Sequence, residues 1–233
     1  MALARSGKRH FLCAQKWLWL ARFTRRVSLL EHGPLLLHQV GQGRNVGKHK
    51  CLLSSRLSRE IPYRRKKKAE PTTLILDSQS VKNSATATEA VGFDGGKLIK
   101  GRKRFVLIDT TGATLATLVL PVNAHDGQSA LAWWAKLAHH PLLRQVKRVF
   151  IDGGFRGAFV EQMAKQYQKE VLVPQKVVRQ VGKFCVHATR WVVERSISWL
   201  TNNRRLARCY ERKISNEESF ILLCNIRRII SKC

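Results

Sequence analysis

The chain has 233 residues, 44% of them hydrophobic, with 43 Lys and Arg against 15 Asp and Glu, a net charge of +28. It contains no run of about 18 uncharged apolar residues, which argues against a membrane-spanning helix. Its six cysteines make neither a Cys-x-x-Cys pair nor a zinc-finger spacing, so they read as reduced thiols in a cytoplasm. Charge this far beyond what solubility needs points to a polyanionic partner; nucleic acid fits better than a membrane surface, because no basic amphipathic helix with a broad apolar face is evident.

The basic excess is densest at the start, where residues 1–70 hold 17 basic and three acidic side chains. The early segment "KWLWLARF" is too short for a signal peptide and runs at once into Arg22, Arg25 and Arg26. Periodicity over 1–62 is poor and broken by Gly33-Pro34, so one short helix near 11–30 and much irregular chain are expected. The stretch "GQGRNVGKH" fails as a phosphate loop: Gln42 stands where the first Gly is needed, and His49 where Ser or Thr should follow Lys48. "YRRKKK" at 63–68 reads equally as a solvated linker or a phosphate contact.

From Pro71 the texture becomes that of alternating strands and helices. "TTLILDSQS" predicts a strand ending at Asp77, and "KRFVLIDTTGATLATLVLPV" two strands around the turn "DTTG". "GQSALAWWAKLAHH" predicts a helix closed by Pro141, with Asp126 as N-cap; "VKRVFID", "RGAFVEQMAKQYQK" and "EVLVP" follow as strand, helix and short strand. "ATRWVVERSISWLTNNRRLARCYE" reads as one long helix, and "NEESFILLCNIRRIISK" as a last helix capped by Asn216. An antiparallel pair followed by strand–helix alternation predicts a mixed sheet flanked by helices, the element order of the RNase H-like fold.

If the strands ending at Asp77 and Asp152 are parallel neighbours, both carboxylates lie in the crevice at the strand carboxyl ends. Two adjacent acids repel unless they share cations, and Mg²⁺, hard and content with carboxylates plus substrate phosphate, is the natural one. Two such ions suit an in-line phosphodiester displacement. Glu194 is the best third carboxylate. It shares a face of an apolar helix with Trp191 and Ile197, so it is expected to be buried and in need of a partner; Arg190, four residues earlier, is the alternative, purely structural explanation. Asp152 is followed by Gly153 and Gly154, which read either as an ordinary turn or as glycines permitting positive φ and close phosphate approach. Asp109 reads as an Asx-type turn residue, Asp94 as part of the glycine-rich loop "GFDGGK", and Trp133 and Trp134 as core. Lys97, Lys100, Arg102, Lys103, Arg104, Arg190, Arg204 and Arg205 are the expected DNA-backbone contacts.

The motifs "DSQSVKNS", "GFDGGKLIKGRKRFVLIDTTG", "VNAHDGQSA", "FIDGGFRG" and "RWVVERSISWLTNNRRLARCYE" together resemble the catalytic half of DDE transposases of bacterial insertion sequences, in the group related to the IS-four and IS-five elements. The resemblance covers 63–233. It implies an RNase H-like domain with Asp77, Asp152 and Glu194 as a metal-binding catalytic triad and two Mg²⁺ ions, with Mn²⁺ a possible substitute. It further implies cleavage of double-stranded DNA at the element's terminal inverted repeats and strand transfer to target DNA; a homodimer is a possible assembly, and a nucleoid location in a bacterial cytoplasm, with no membrane and no small-molecule cofactor, is expected. Of the Tyr, Arg, Glu and Lys signature often seen in this group, Arg190 and Glu194 are present, whereas Thr201 stands where a Lys is sought. Residues 1–62 do not resemble the helical head of such enzymes, so a truncated or decayed copy is expected. The rival reading is a basic nucleic-acid-binding protein without catalysis.

Overall fold

Leu74, Ile75 and Leu76 are consecutive and all buried, the mark of a strand covered on both faces. They begin β1, Thr73–Lys82, the centre of the sheet in a computed structural model that describes residues 71–174 and 188–230. All of these belong to one compact unit, Gly47–Lys232; the other unit, Met1–Val46 with Cys233, and the expected head over 1–62 lie outside the described residues.

β1 pairs antiparallel with β3, Ile99–Asp109, from Leu74 opposite Asp109 to Lys82 opposite Gly101. On its other edge it pairs parallel with β5, Arg148–Ile151, which pairs parallel in turn with β6, Glu170–Leu172. The far edge of β3 carries β4, Thr114–Pro121, and the short β2, Gly92–Asp94, both antiparallel. This is the mixed sheet expected, an antiparallel hairpin joined to parallel strands in RNase H-like order.

Alternation along the strands divides the core between two faces. Leu74 and Leu76 with Phe105 and Leu107 pack with Trp133 and Trp134 of α1, Asp126–Leu137, and with Phe159 and Met163 of α2, Ala158–Tyr167. The alternate residues Val106 and Ile108 pack with Leu200 of α3, Ala188–Thr201, and with Ile221 of α4, Ile214–Ile230. Each fully buried Leu, Ile or Phe contributes roughly 1.5–3 kcal/mol, so both faces hold their helices firmly.

Four boundaries differ from expectation. β1 does not stop at Asp77 but runs on to Lys82, because β3 continues to pair with it after β5 has left. Part of the "GFDGGK" loop becomes β2. α3 ends at Thr201, where the side-chain amide of Asn203 donates to the Trp199 carbonyl at 2.7 Å and the chain turns into a 3-10 segment, Arg204–Leu206. α4 begins before Asn216, since the Lys213 carbonyl already accepts from the amides of Asn216 and Glu217; Asn216 is therefore not its cap.

Candidate active site

The parallel pairing of β1 with β5 ends at Leu76 opposite Ile151, which sets Asp77 and Asp152 side by side as the next residue on each chain. Neighbouring strands lie about 4.8 Å apart, so the two carboxylates share one crevice. Asp77 remains inside β1, whereas the chain after Asp152 leaves the sheet in a tight turn, Gly153–Phe155. Phe155 anchors that turn: it is buried, edge-on to Phe105 with centroids 6.1 Å apart. Neither Gly153 nor Gly154 adopts positive φ, contrary to the conformational reason expected for them. Crowding accounts for Gly154, where a Cβ would meet an Asp126 carboxylate oxygen at 3.2 Å, but not for Gly153, where a Cβ would meet nothing within 4 Å.

The Asp77 carboxyl is perturbed by its surroundings. Burial pushes it up to about 6, and the charges of Asp152 and Asp126 act in the same direction; the Ser78 amide, 2.7 Å from Oδ1, and Lys97 pull against them. A half-buried acid held against two other acids is short of positive charge, and a divalent cation would supply it.

Glu194 is not where the helical pattern put it. It lies on the outer face of α3, 60% exposed, with Oε1 accepting from Nε of Arg190 at 2.8 Å. Helical spacing placed it beside Trp191 and Ile197, but Trp191 is itself 49% exposed and the inward positions are Val193, Ser196 and Leu200. Arg190 links the three acids electrostatically: its guanidinium is held further in its charged form by Glu194 above all, and by Asp152 and Asp77. Among the described residues no three His, Cys, Asp or Glu side chains converge closely enough to hold a metal. The structure brings Asp77 and Asp152 together and keeps Glu194 one arginine away.

Asp126 joins the crevice in a role the sequence did not assign. His125, not Asp126, caps α1, its Nδ1 accepting from the Gln128 amide. Asp126 instead accepts from Ser78 Oγ at 3.1 Å and pairs with Lys103 Nζ at 3.0 Å. The one signal in the sequence was an acid next to a competent alternative cap. Asp109 does build the turn expected of it, its Oδ1 accepting from the amides of Thr111 and Ala113.

The basic candidates separate by burial. Lys97, Lys100, Arg190 and Arg204 are exposed, and Lys97 reaches Ser80 Oγ at 3.3 Å beside the crevice. Arg205 is exposed but pairs with Glu211. Arg102 and Arg104 are corrections: with 0% and 1% exposure they have no surface for a phosphate. Both project from the α4 side of β3 onto Glu217, at 2.8 and 2.6 Å, and donate to main-chain carbonyls, Arg102 to Glu211 and Arg104 to Leu206. Lys103, on the opposite face, is committed to Asp126 and the Ala124 carbonyl.

A family model described as "Transposase DDE domain" matches residues 68–227, well over half of the chain. The chain belongs to that family. Chains of this family are DNA-cleaving and strand-transferring enzymes that work with a divalent metal. No curated protein sequence matches the chain significantly. Among solved structures the domain is similar to the catalytic core of BIV integrase, at 12% identity and a TM-score of 0.43, over 65% of this chain and 81% of that one. It is also similar to the piggyBac transposase in a synaptic complex with hairpin DNA, at 11% identity and a TM-score of 0.39, over 70% of this chain and 47% of that one. A pre-cleavage Mos1 transpososome matches at 10% identity and a TM-score of 0.38, over 84% of this chain and 66% of that one. The family assignment rests on the sequence match.

Proposed function

We propose that this DDE domain is the catalytic half of an insertion-sequence transposase, cutting double-stranded DNA at terminal inverted repeats and joining the freed 3′ end to target DNA. Asp77, Asp152 and Glu194 are its acidic triad. The observation that carries this reading is the pairing of Asp77 with Asp152 at the point where β5 leaves β1, in a crevice short of positive charge. Two Mg²⁺ ions, or Mn²⁺ in their place, suit these oxygen donors and, when bound, supply charge neutralisation at the phosphate.

The chain's own residues divide the work. Asp77, inside β1, and Asp152, just past the end of β5, would hold the ions. Glu194 joins them by turning away from Arg190, a cheap change because an exposed pair four residues apart on a helix is worth only about 0.3–0.5 kcal/mol. Arg190, so released, faces the scissile phosphate, while Lys97, Lys100 and Arg204 grip the backbone on either side. Water then attacks the phosphorus and gives up a proton as the P–O3′ bond breaks and the departing 3′ oxygen gains one; that 3′-hydroxyl attacks a target phosphorus, forming a new P–O bond as the target's own P–O3′ bond breaks and leaves a target 3′-hydroxyl. We assign catalysis to 63–233, working as a homodimer at the nucleoid of a bacterial cytoplasm. Residues 1–62 do not resemble the end-recognising head of such enzymes, so the chain is expected to hold the inverted repeats weakly and to cut them only at high protein concentration; tight, specific binding of the inverted repeats by the 233-residue chain at physiological salt would refute this.

The Arg190–Glu194 pair favours a second reading, a basic nucleic-acid-binding protein whose acids are structural. The two separate in one assay on duplex DNA bearing the repeats that flank the gene. The transposase reading expects Mg²⁺-dependent nicking, abolished by Asp152→Ala with an unchanged circular dichroism spectrum; a wild-type chain that never nicks supports the second.

A further inference from the structure

On the hairpin formed by β2 and the start of β3, Phe93 is 57% exposed and Leu98 74%, the two highest exposures of large apolar side chains among the described residues. Leu98 also holds a positive φ of 51°, a left-handed conformation that suits glycine and is costly for a bulky side chain. Burial does not repay that cost. The turn is nonetheless firmly built: Asp94 Oδ1 accepts from the amides of Gly96 at 3.0 Å and Lys97 at 3.1 Å, and Phe93 lies opposite Lys100 in the β2–β3 ladder. The pairing of β3 with β1 begins only at Gly101, opposite Lys82, so the hairpin stands past the carboxyl end of β1, the end towards which the crevice opens. It also reaches back towards the acids. Lys97 Nζ lies 3.3 Å from Ser80 Oγ, three residues beyond Asp77, and its charge pulls the Asp77 carboxyl down against the effect of burial.

We infer that Phe93 and Leu98 form an apolar wedge that enters duplex DNA beside the cut and unstacks the neighbouring base step. The inference rests on the reading of Asp77 and Asp152 as the cleavage site. Charge decides the occupant. Lys82, Lys97 and Lys100 are exposed on and beside the hairpin, while its one acid, Asp94, gives its Oδ1 to the turn amides. A protein partner covering the apolar pair would have to desolvate these ammonium groups, whereas DNA offers phosphates to the lysines and base faces to Phe93 and Leu98 at once. Phe and Leu are among the side chains with which proteins part base steps and kink a duplex. An unstacked step kinks readily, which frees the phosphate at that step to approach the acids. Leu98, strained where glycine would rest, is then explained by what its side chain does to DNA and not by the fold.

Duplex DNA bearing the repeats that flank the gene, with 2-aminopurine at the cut, tests this on the full chain without metal, so that no cleavage intervenes; the probe's fluorescence is quenched by stacking. Saturating wild type should raise the fluorescence severalfold at the cut and leave it unchanged when the probe sits a full helical turn inside the repeat. Phe93→Ala combined with Leu98→Gly should abolish the rise and weaken binding about 10-fold, the scale of one stacked aromatic. The slope of log affinity against log salt should stay as in wild type, because no phosphate contact is lost. Phe93→Trp should keep the rise. A double variant that unstacks the probe as wild type does, or a wild type that binds and leaves it quenched, would overturn the inference; so would a double variant with a reduced salt slope, which traces the loss to phosphate contacts. Should the double variant fail to fold, as its melting temperature would show, Phe93→Ala decides alone: a lost rise supports the wedge and a full rise refutes it. Asp152→Ala, read by nicking in Mg²⁺, is the separate control. If it nicks as wild type does, the cleavage-site reading falls and the inference with it; if it does not, only the fluorescence arms bear on the wedge.

Discussion

Asp77 sets a conflict between stability and chemistry that one substitution can expose. Its folded pKa of about 6 lies above the ordinary value of 3.8. Below about pH 4 both folded and unfolded chains are protonated there and no cost arises; as pH rises toward 6 the unfolded chain loses the proton first, so stability falls and the full cost persists above 6. Asp77→Asn removes it. Without metal, Asp77→Asn should be more stable than wild type at pH 7 by on the order of 2 kcal/mol, the gap closing below about pH 4; equal denaturant midpoints at pH 7 would contradict the buried, repelled carboxyl. Added Mg²⁺ should raise the melting temperature of wild type and not of Asp77→Asn. Glu194 behaves in the opposite way. Its pair with Arg190 is exposed, so Glu194→Gln should change stability by less than about 0.5 kcal/mol while lowering cleavage by about 100-fold; a large loss of stability with normal cleavage would make it a structural residue. The adjacency of Asp77 and Asp152 was legible in the sequence because two apolar runs end in acids. The exposure of Glu194 was not: Trp191, which made its face look buried, lies open and stacks under Arg195, 4.2 Å from the ring centroid.

β3 shows how an element can mislead on charge. "KGRKRF" reads as a basic surface, yet period-2 alternation sends Arg102 and Arg104 inward to Glu217, more than 110 residues away, and Lys103 inward on the other face. No local pattern announces a partner so distant. The cluster also holds Cys209, whose thiol lies 3.1 Å from Glu217 and is pushed up to about 12 by burial first and then by that carboxylate. Removing one member strands the others: Glu217→Gln should cost about 3–5 kcal/mol in denaturant unfolding, and a loss below about 1 kcal/mol would show that α4 is not locked through these charges. DNA affinity separates the buried from the exposed cations. Lys97→Ala and Lys100→Ala should each reduce the slope of log affinity against log salt by about 1. Folded Arg104→Met should leave that slope unchanged, and an equal fall would place Arg104 on the DNA.

At the scale of the molecule, strand order and two-faced packing were legible because hydrophobic period and turn chemistry agree from Pro71 onward. The ends of α3 and α4 were not, since side-chain and main-chain hydrogen bonds at Asn203 and Lys213 decide them. The net charge of +28 points to nucleic acid and says nothing of catalysis; the proposed chemistry rests on a crevice with two adjacent acids and a third acid paired with Arg190. Metal ligation at Asp152 is therefore the decisive point, and a thiolate exchange tests it most directly. A thiolate is a soft donor that accepts Mn²⁺ far better than Mg²⁺. Asp152→Cys should nick inverted-repeat DNA in Mn²⁺ and fail in Mg²⁺, where wild type works with both. Equal nicking by Asp152→Cys and wild type in Mg²⁺, or the same loss in both metals with the fold intact, would contradict a metal bound at Asp152.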